Sequence, residues 1–320
     1  MACATVGVRR LDPALALFRD AMGLRVEADF VASSALLAAW GVAVGTRARI
    51  VELSCKGYPI GRVRLVAYDP VPTVCVRLDA GPDDPDDATD VGPKALDFYV
   101  RSPIERTVQA LERLGYRARS APVYHEIGQT ISEEFLVSGP DGVPILFMIG
   151  HRHASTSLRA GSPDGDFSEI PTVSVIAADL KRSREFYGEV LGLVAVNDAE
   201  TPPQYRDLVN DLTGVPQGTR VHFLNFARSG EASGKVLLLH FFERTGRRLA
   251  GRMRPGHLGF SMLTHRTGNL DALERRLLAG HFDICQPPIA VQTGNGRCRL
   301  MRALGPNEEM FEFIEGPDSA

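Results

Sequence analysis

Three residues in apolar surroundings could carry chemistry. His240 lies in LLLHFFE, His257 opens GHLGFSM, and Glu312 stands among Met310, Phe311 and Phe313 in MFEFIE. A lone imidazole in an apolar strand is either a satisfied core histidine or a ligand. A glutamate is almost never buried without a partner. Strand alternation lets Glu312 face either water or the core. His222, in TRVHFLNFA, is a further candidate for a metal or substrate contact. His151 and His153 form an HxH that can place two side chains on one strand face, but with no third partner. His125, His265 and His281 read as surface or loop residues. Other chemistry is missing: there is no GxSxG elbow, GxGxxG turn or GxxxxGK phosphate cradle. GNGRCR (Gly294–Arg299) reads as a hairpin turn, and Cys298 follows no base-bearing motif.

The elements that must position these residues repeat along the chain. Leu11–Leu24 (LDPALALFRDAMGL) aligns with Leu180–Leu193 (LKRSREFYGEVLGL), and Gly139–Phe147 (GPDGVPILF) aligns with Gly305–Phe313 (GPNEEMFEF). ALERLGY (Ala110–Tyr116) matches RRLLAGHF (Arg275–Phe282) in the same order. Such recurrence points to two homologous halves. Each half splits again into a strand, a helix and further strands. The strand-like runs are Arg47–Leu53, Gly61–Ala67, Ala95–Val100, Thr219–Ala227, Lys235–Phe242 and Gly256–Leu263. Asp179 starts the second copy of the first helix, and Gly192 stops it. The expected domains are 1–150, a linker at 151–169, and 170–320. The aspartate-rich stretch Asp79–Pro93 reads as a solvated loop.

With 320 residues, 44% hydrophobic and 23% charged, the chain is long enough for two well-packed domains. A formal net charge of −3 offers no electrostatic attraction for nucleic acid or an anionic membrane. The five cysteines (Cys3, Cys55, Cys75, Cys285 and Cys298) are scattered without a CxxC pair, as expected of reduced thiols in a cytosol. No segment reaches the roughly 18 apolar residues of a membrane span. A soluble, cytoplasmic protein is expected.

Four strand–helix–strands units, with SREFYGEVLGL (Ser183–Leu193) in one and GPNEEMFEF closing another, resemble the vicinal oxygen chelate superfamily. Its members include glyoxalase I, methylmalonyl-CoA epimerase, extradiol dioxygenases, and fosfomycin- and bleomycin-resistance proteins. The resemblance spans Val6 to Glu315 and is stronger in the second half. It implies an α+β fold of four βαβββ units paired into two half-open barrels. It also implies metal ligands from the first and last strands of each of two partner units. Carried over to this sequence, those positions are Thr172, His240, His257 and Glu312 in the second half, and Cys3, Val66, Ala95 and Leu146 in the first. The first half would then be a structural copy, and His240, His257 and Glu312 would hold a divalent metal ion (zinc, manganese, cobalt, nickel or iron), with Thr172 a weak fourth.

Two imidazoles and one carboxylate suit such a metal and leave positions open for substrate oxygens. The resemblance therefore implies a metal-dependent epimerase or isomerase acting next to a carbonyl of a small, oxygen-rich substrate. Glu312 would move the proton. An Fe(II) extradiol-type dioxygenase and a non-catalytic binding or resistance protein are the alternatives. Asn197–Gly218 falls where a segment can cover the cavity, which makes Tyr205 and Arg206 candidate substrate contacts. Family members often form homodimers.

Overall fold

The computed structural model describes residues 1–55, 58–77, 88–101, 103–152, 158, 165–244, 246–249, 251–294 and 296–315. His153 and most of the aspartate-rich stretch lie outside the described residues. Unit one comprises β1 (Cys3–Val8), α1 (Leu11–Leu15) continuing as a π-helical turn (Ala16–Ala21), β2 (Arg25–Val31), α2 (Ser34–Ala39), β3 (Arg47–Ser54) and β4 (Arg62–Asp69). Unit two comprises β5 (Gly92–Tyr99), α3 (Ile104–Arg113), β6 (Val123–Ile127), β7 (Thr130–Ser138) and β8 (Pro144–Arg152). Unit three comprises β9 (Thr172–Ile176), α4 (Leu180–Arg184) with its own π-helical turn (Glu185–Val190), β10 (Val194–Glu200), α5 (Pro203–Thr213), β11 (Val221–Ala227) and β12 (Lys235–Phe241). Unit four comprises β13 (Gly259–Arg266), α6 (Leu270–Ala279), β14 (Ile284–Thr293), β15 (Gly296–Leu304) and β16 (Met310–Glu315).

Local signals account for the boundaries. The Asp179 side chain accepts the Arg182 backbone N–H at 3.0 Å and caps α4. Gly192 ends the π-helical turn at φ +70°, a conformation that a Cβ would strain. The glycine-rich segment joins antiparallel β14 and β15, with Thr293 opposite Gly296.

The four units make an α+β fold of two curved eight-stranded sheets. Sheet I runs β14-β15-β16-β13-β1-β4-β3-β2, and sheet II runs β10-β11-β12-β9-β5-β8-β7-β6. Unit one thus joins unit four through β1 and β13, and unit two joins unit three through β5 and β9. Each sheet takes one unit from each half of the sequence. The end of the segment between the halves is packed, with Phe167, Ser168 and Glu169 buried and Phe167 bridging to Val100.

Alternate residues of both sheets point away from the concave faces and meet α1, α3, α4 and α6 in one continuous core. Phe18 of unit one lies 6.2 Å from Phe98 of unit two between ring centroids, which ties the two sheets together. Each such buried ring contributes roughly 1.5–3 kcal/mol. Two further helices lie on the concave faces. Leu36, Leu37 and Trp40 of the α2 segment pack with Ile50, Val66, Met262 and Leu300 on sheet I. Val209 of α5 packs with Ile176 and Leu239, and Leu212 packs with Ala95, Leu136 and Leu146, on sheet II. Their first residues are 169 positions apart, so these are the same element of the repeat. Within Asn197–Gly218, the segment expected to cover the cavity, Pro203–Thr213 is helical, and α2 is its counterpart in unit one.

Candidate functional site

Strand pairing sets which side chains share the concave face of sheet I. Thr5 of β1 pairs with Arg64 of β4 and with Met262 of β13, and Thr264 pairs with Glu312 of β16. Their neighbours Val63, Leu65, Leu263, Phe311 and Phe313 belong to the helix-side core, so alternation turns Arg64, Thr264 and Glu312 into the concavity. Glu52 of β3 stands opposite Arg64.

These groups form one buried network. Arg64 donates from Nε to Glu52 Oε1 at 2.8 Å and from Nη1 to Glu312 Oε2 at 2.7 Å. Glu312 also accepts the Thr264 hydroxyl at 2.7 Å and the Trp40 indole N–H at 2.7 Å. The Arg64 guanidinium carbon lies 5.4 Å from the Trp40 ring centroid, a cation–π distance. Burial alone would weaken the hold of Arg64 on its proton, but the facing Glu312 and Glu52 carboxylates outweigh burial and strengthen it. Burial pushes the neighbouring Cys3 thiol up to about 12, so it stays protonated and is a poor nucleophile.

In front of this network lies a cavity of about 460 Å³, lined by Arg62, Arg64, Arg228, Arg266 and Arg297 and by the carboxylates Glu52 and Glu231. Thr264, Thr267, Thr293, Cys3 and Cys298 add polar groups, and Ile60 and Ile314 add apolar ones. Arg62 Nε is buried without a hydrogen-bond partner among the described residues. A second cavity of about 260 Å³ adjoins the first through Arg228, Glu231 and Arg266.

The three residues singled out in the sequence are not brought together. Glu312 is at the centre of sheet I. His240 is on β12 of sheet II, where Leu237 and Leu239 take the inward positions and His240 falls one residue out of phase. Its Nδ1 donates to the Ala177 carbonyl at 2.9 Å. His257 precedes β13 and donates through Nδ1 to the Arg252 carbonyl at 2.7 Å. The strand read as Gly256–Leu263 starts only at Gly259, and Gly256 before it takes a φ of +89°, outside the extended region. The physical reason for the dispersal is the pairing of units, since the last strand of unit three and the strands of unit four enter different sheets. Thr172 is buried in sheet II opposite Asp97 and Lys235. His222 lies opposite His240, 2.7 Å from Asp198. Tyr205 is on α5 with its ring 6.4 Å from that of Tyr124, and Arg206 is 3.8 Å from Glu200. His151 is exposed, 3.9 Å from Glu133.

The residues that sequence reasoning missed are Arg64, Glu52, Trp40 and Thr264. A signal existed in GRVRLVAYD, where Arg62 and Arg64 occupy alternate positions of an otherwise apolar strand.

No family model and no curated protein matches the chain. Among solved structures, a mutant of glyoxalase I from Zea mays is similar with a TM-score of 0.63 and 13% identity, over 98% of this chain and 92% of that one. A proposed dioxygenase from Bacillus subtilis gives 0.62 at 13% identity, over 99% of this chain and 85% of that one. The chain has the vicinal oxygen chelate fold. In sheet I, neighbouring inward positions of β1, β4, β13 and β16 hold Thr5, Arg64, Thr264 and Glu312. A guanidinium has no lone pair to give and repels a cation. Among the described residues no group of three or more His, Cys, Asp and Glu side chains could hold a metal ion. The donor set present does not fit a divalent metal.

In sheet II the equivalent positions hold Ser174, Leu237, Asp97 and Leu146. Ser174 Oγ lies 3.0 Å from Asp97 Oδ2, and His125 Nε2 lies 3.2 Å from Glu134. Burial, reinforced by Glu134, holds the Asp97 carboxyl well above the usual carboxylate range. Burial lowers Lys235 to about 8 against the opposing pull of Glu169 and Asp97. No helix is long and apolar enough to cross a membrane among the described residues.

Proposed function

We propose that the protein binds a small, oxygen-rich anion in the concave cavity of sheet I. The observation that carries this reading is the lining of that cavity, five arginines against two glutamates in about 460 Å³. Arginine presents a planar fork of donors that matches carboxylate or phosphate oxygens. A cavity of this volume suits a small molecule. Of the three activities the family resemblance implies, binding without turnover is the one that the donor set supports best. Both carboxylates of the network are engaged by Arg64, and burial keeps the Cys3 thiol protonated.

Calorimetry with small molecules of matched size and different charge tests this reading. Succinate and inorganic phosphate are expected to bind, whereas 1,4-butanediol and putrescine are not. Arg266→Gln is expected to weaken succinate several-fold. Binding of putrescine alone, or the same affinity in Arg266→Gln, would overturn it.

The isomerase reading keeps one specific support, that Glu52 lines the cavity itself. There a carboxylate could accept a proton from a carbon beside a carbonyl and return it, while the arginines face the oxygen that gains charge. Exchange of ligand hydrogen for solvent deuterium, lost in Glu52→Gln, would favour turnover over binding.

A further inference from the structure

We propose that Arg64 is the resident cation of this cavity and that its Nη2 donates directly to an oxygen of the bound anion. The inference rests on the reading of the cavity as an anion site and assigns that site its central contact. Three observations carry it. Arg64 occupies the inward position of the last strand of its unit, paired with Thr5 and close to Thr264 and Glu312. Its Nε and Nη1 are engaged by Glu52 and Glu312, which fixes the plane of the guanidinium. Its Nη2 has no hydrogen bond among the described residues, and Arg64 lines the cavity.

The two glutamates thus act on Arg64 much as carboxylate ligands act on a metal, holding a positive charge at a set point. That charge does not dissociate, because a guanidinium keeps its proton at any ordinary pH. Affinity for the anion should therefore be independent of divalent metal. The equivalent position of sheet II is Leu237, so the device is confined to one of the two concavities.

Trp40 is the only tryptophan of the chain and touches both Arg64 and Glu312, so its fluorescence reports on the site. Oxalate, with two adjacent oxygens on each side, is the probe. It is titrated by calorimetry and by Trp40 fluorescence, before and after dialysis against EDTA. The proteins are the wild type, Arg64→Lys, the triple variant Glu52→Gln/Arg64→Met/Glu312→Gln, which leaves no charged group in the network, and Arg266→Gln.

The expected result is oxalate binding unchanged by EDTA and weakened at least tenfold in the triple variant. In Arg64→Lys, which keeps the charge but loses the fork, the loss should be several-fold. Arg64→Lys also keeps the test decisive should the triple variant fail to fold. Wild-type binding that EDTA abolishes and added Mn²⁺ restores would overturn the inference. So would Arg64 variants that bind as the wild type does while Arg266→Gln binds more weakly, although the cavity would then remain an anion site. No oxalate binding by any of the four proteins, with succinate and phosphate also silent, would defeat the anion-site reading itself.

Discussion

The concave faces of sheets I and II come from the same repeat and carry the same covering helix, yet they solve the burial of charge in opposite ways. Sheet I places a guanidinium between two carboxylates and leaves its remaining face toward a cavity. At the equivalent positions sheet II has Leu237 and Leu146, and it holds Asp97 against Ser174. A buried carboxylate can stay ionised if a cation faces it, or neutralise itself by keeping its proton. In sheet I the Arg64 guanidinium faces Glu312 at 2.7 Å, whereas in sheet II burial holds the Asp97 carboxyl well above the usual carboxylate range. The difference teaches that the fold fixes where an inward side chain stands, while one residue on the last strand decides whether that place carries charge.

The largest effect is expected from forcing sheet II to adopt the arrangement of sheet I. Leu146→Glu puts a carboxylate at the position of Glu312 with no arginine to face it. An uncompensated buried charge costs on the order of 3–5 kcal/mol. Adding Leu237→Arg supplies the cation and should recover a good part of that loss. Urea denaturation of the two single variants and the double variant measures the coupling. If the two losses simply add, the positions are not equivalent and the comparison breaks.

A smaller effect sharpens the comparison through pH. Lys235 has its folded pKa lowered from 10.5 to about 8, chiefly by burial. Below pH 8 both the folded and unfolded chains carry the charge, and the folded state bears the full burial cost. Between about pH 8 and 10.5 the folded lysine has lost its proton while the unfolded one keeps it, so this contribution becomes less unfavourable as pH rises. The total is up to about 3 kcal/mol. Lys235→Met should therefore gain most over the wild type at pH 7, and the gain should shrink toward pH 10.5. A difference in urea midpoint that stays constant with pH would mean that Lys235 is not desolvated in solution.

Much of the architecture was legible in the sequence because repeats and apolar periodicity are local properties. The SREFYGEVLGL helix, its Asp179 cap and Gly192 stop, and the runs that became β3, β4, β11 and β12 all follow from neighbouring residues. The site was less legible because it depends on which unit pairs with which. Nothing near Glu312 in the chain says that Arg64 will face it, and the two are 248 residues apart. Phase was the other difficulty. In LLLHFF every position is apolar except His240, so the pattern has no alternation to show which side chains point inward. The Arg62–Val63–Arg64 alternation did carry phase, and it marks the residues that line the cavity.

The smallest effect is expected where the sequence pointed first. His240 bonds to the Ala177 carbonyl and His257 to the Arg252 carbonyl, and neither lines the sheet I cavity. Each ring satisfies a backbone carbonyl at an element end, so His240→Ala and His257→Ala should each cost about 0.5–1.5 kcal/mol of stability, the ordinary worth of one hydrogen bond. Oxalate affinity should stay within twofold of the wild type in both, and protein purified from both should carry the same metal content as the wild type. The distinction from Arg64 is then one of kind. Removing a histidine loosens a loop or a strand end, whereas altering Arg64 changes what the cavity holds. A wild type with one bound metal per chain, lost together with oxalate affinity in His257→Ala, would reverse this ordering and return the site to the histidines.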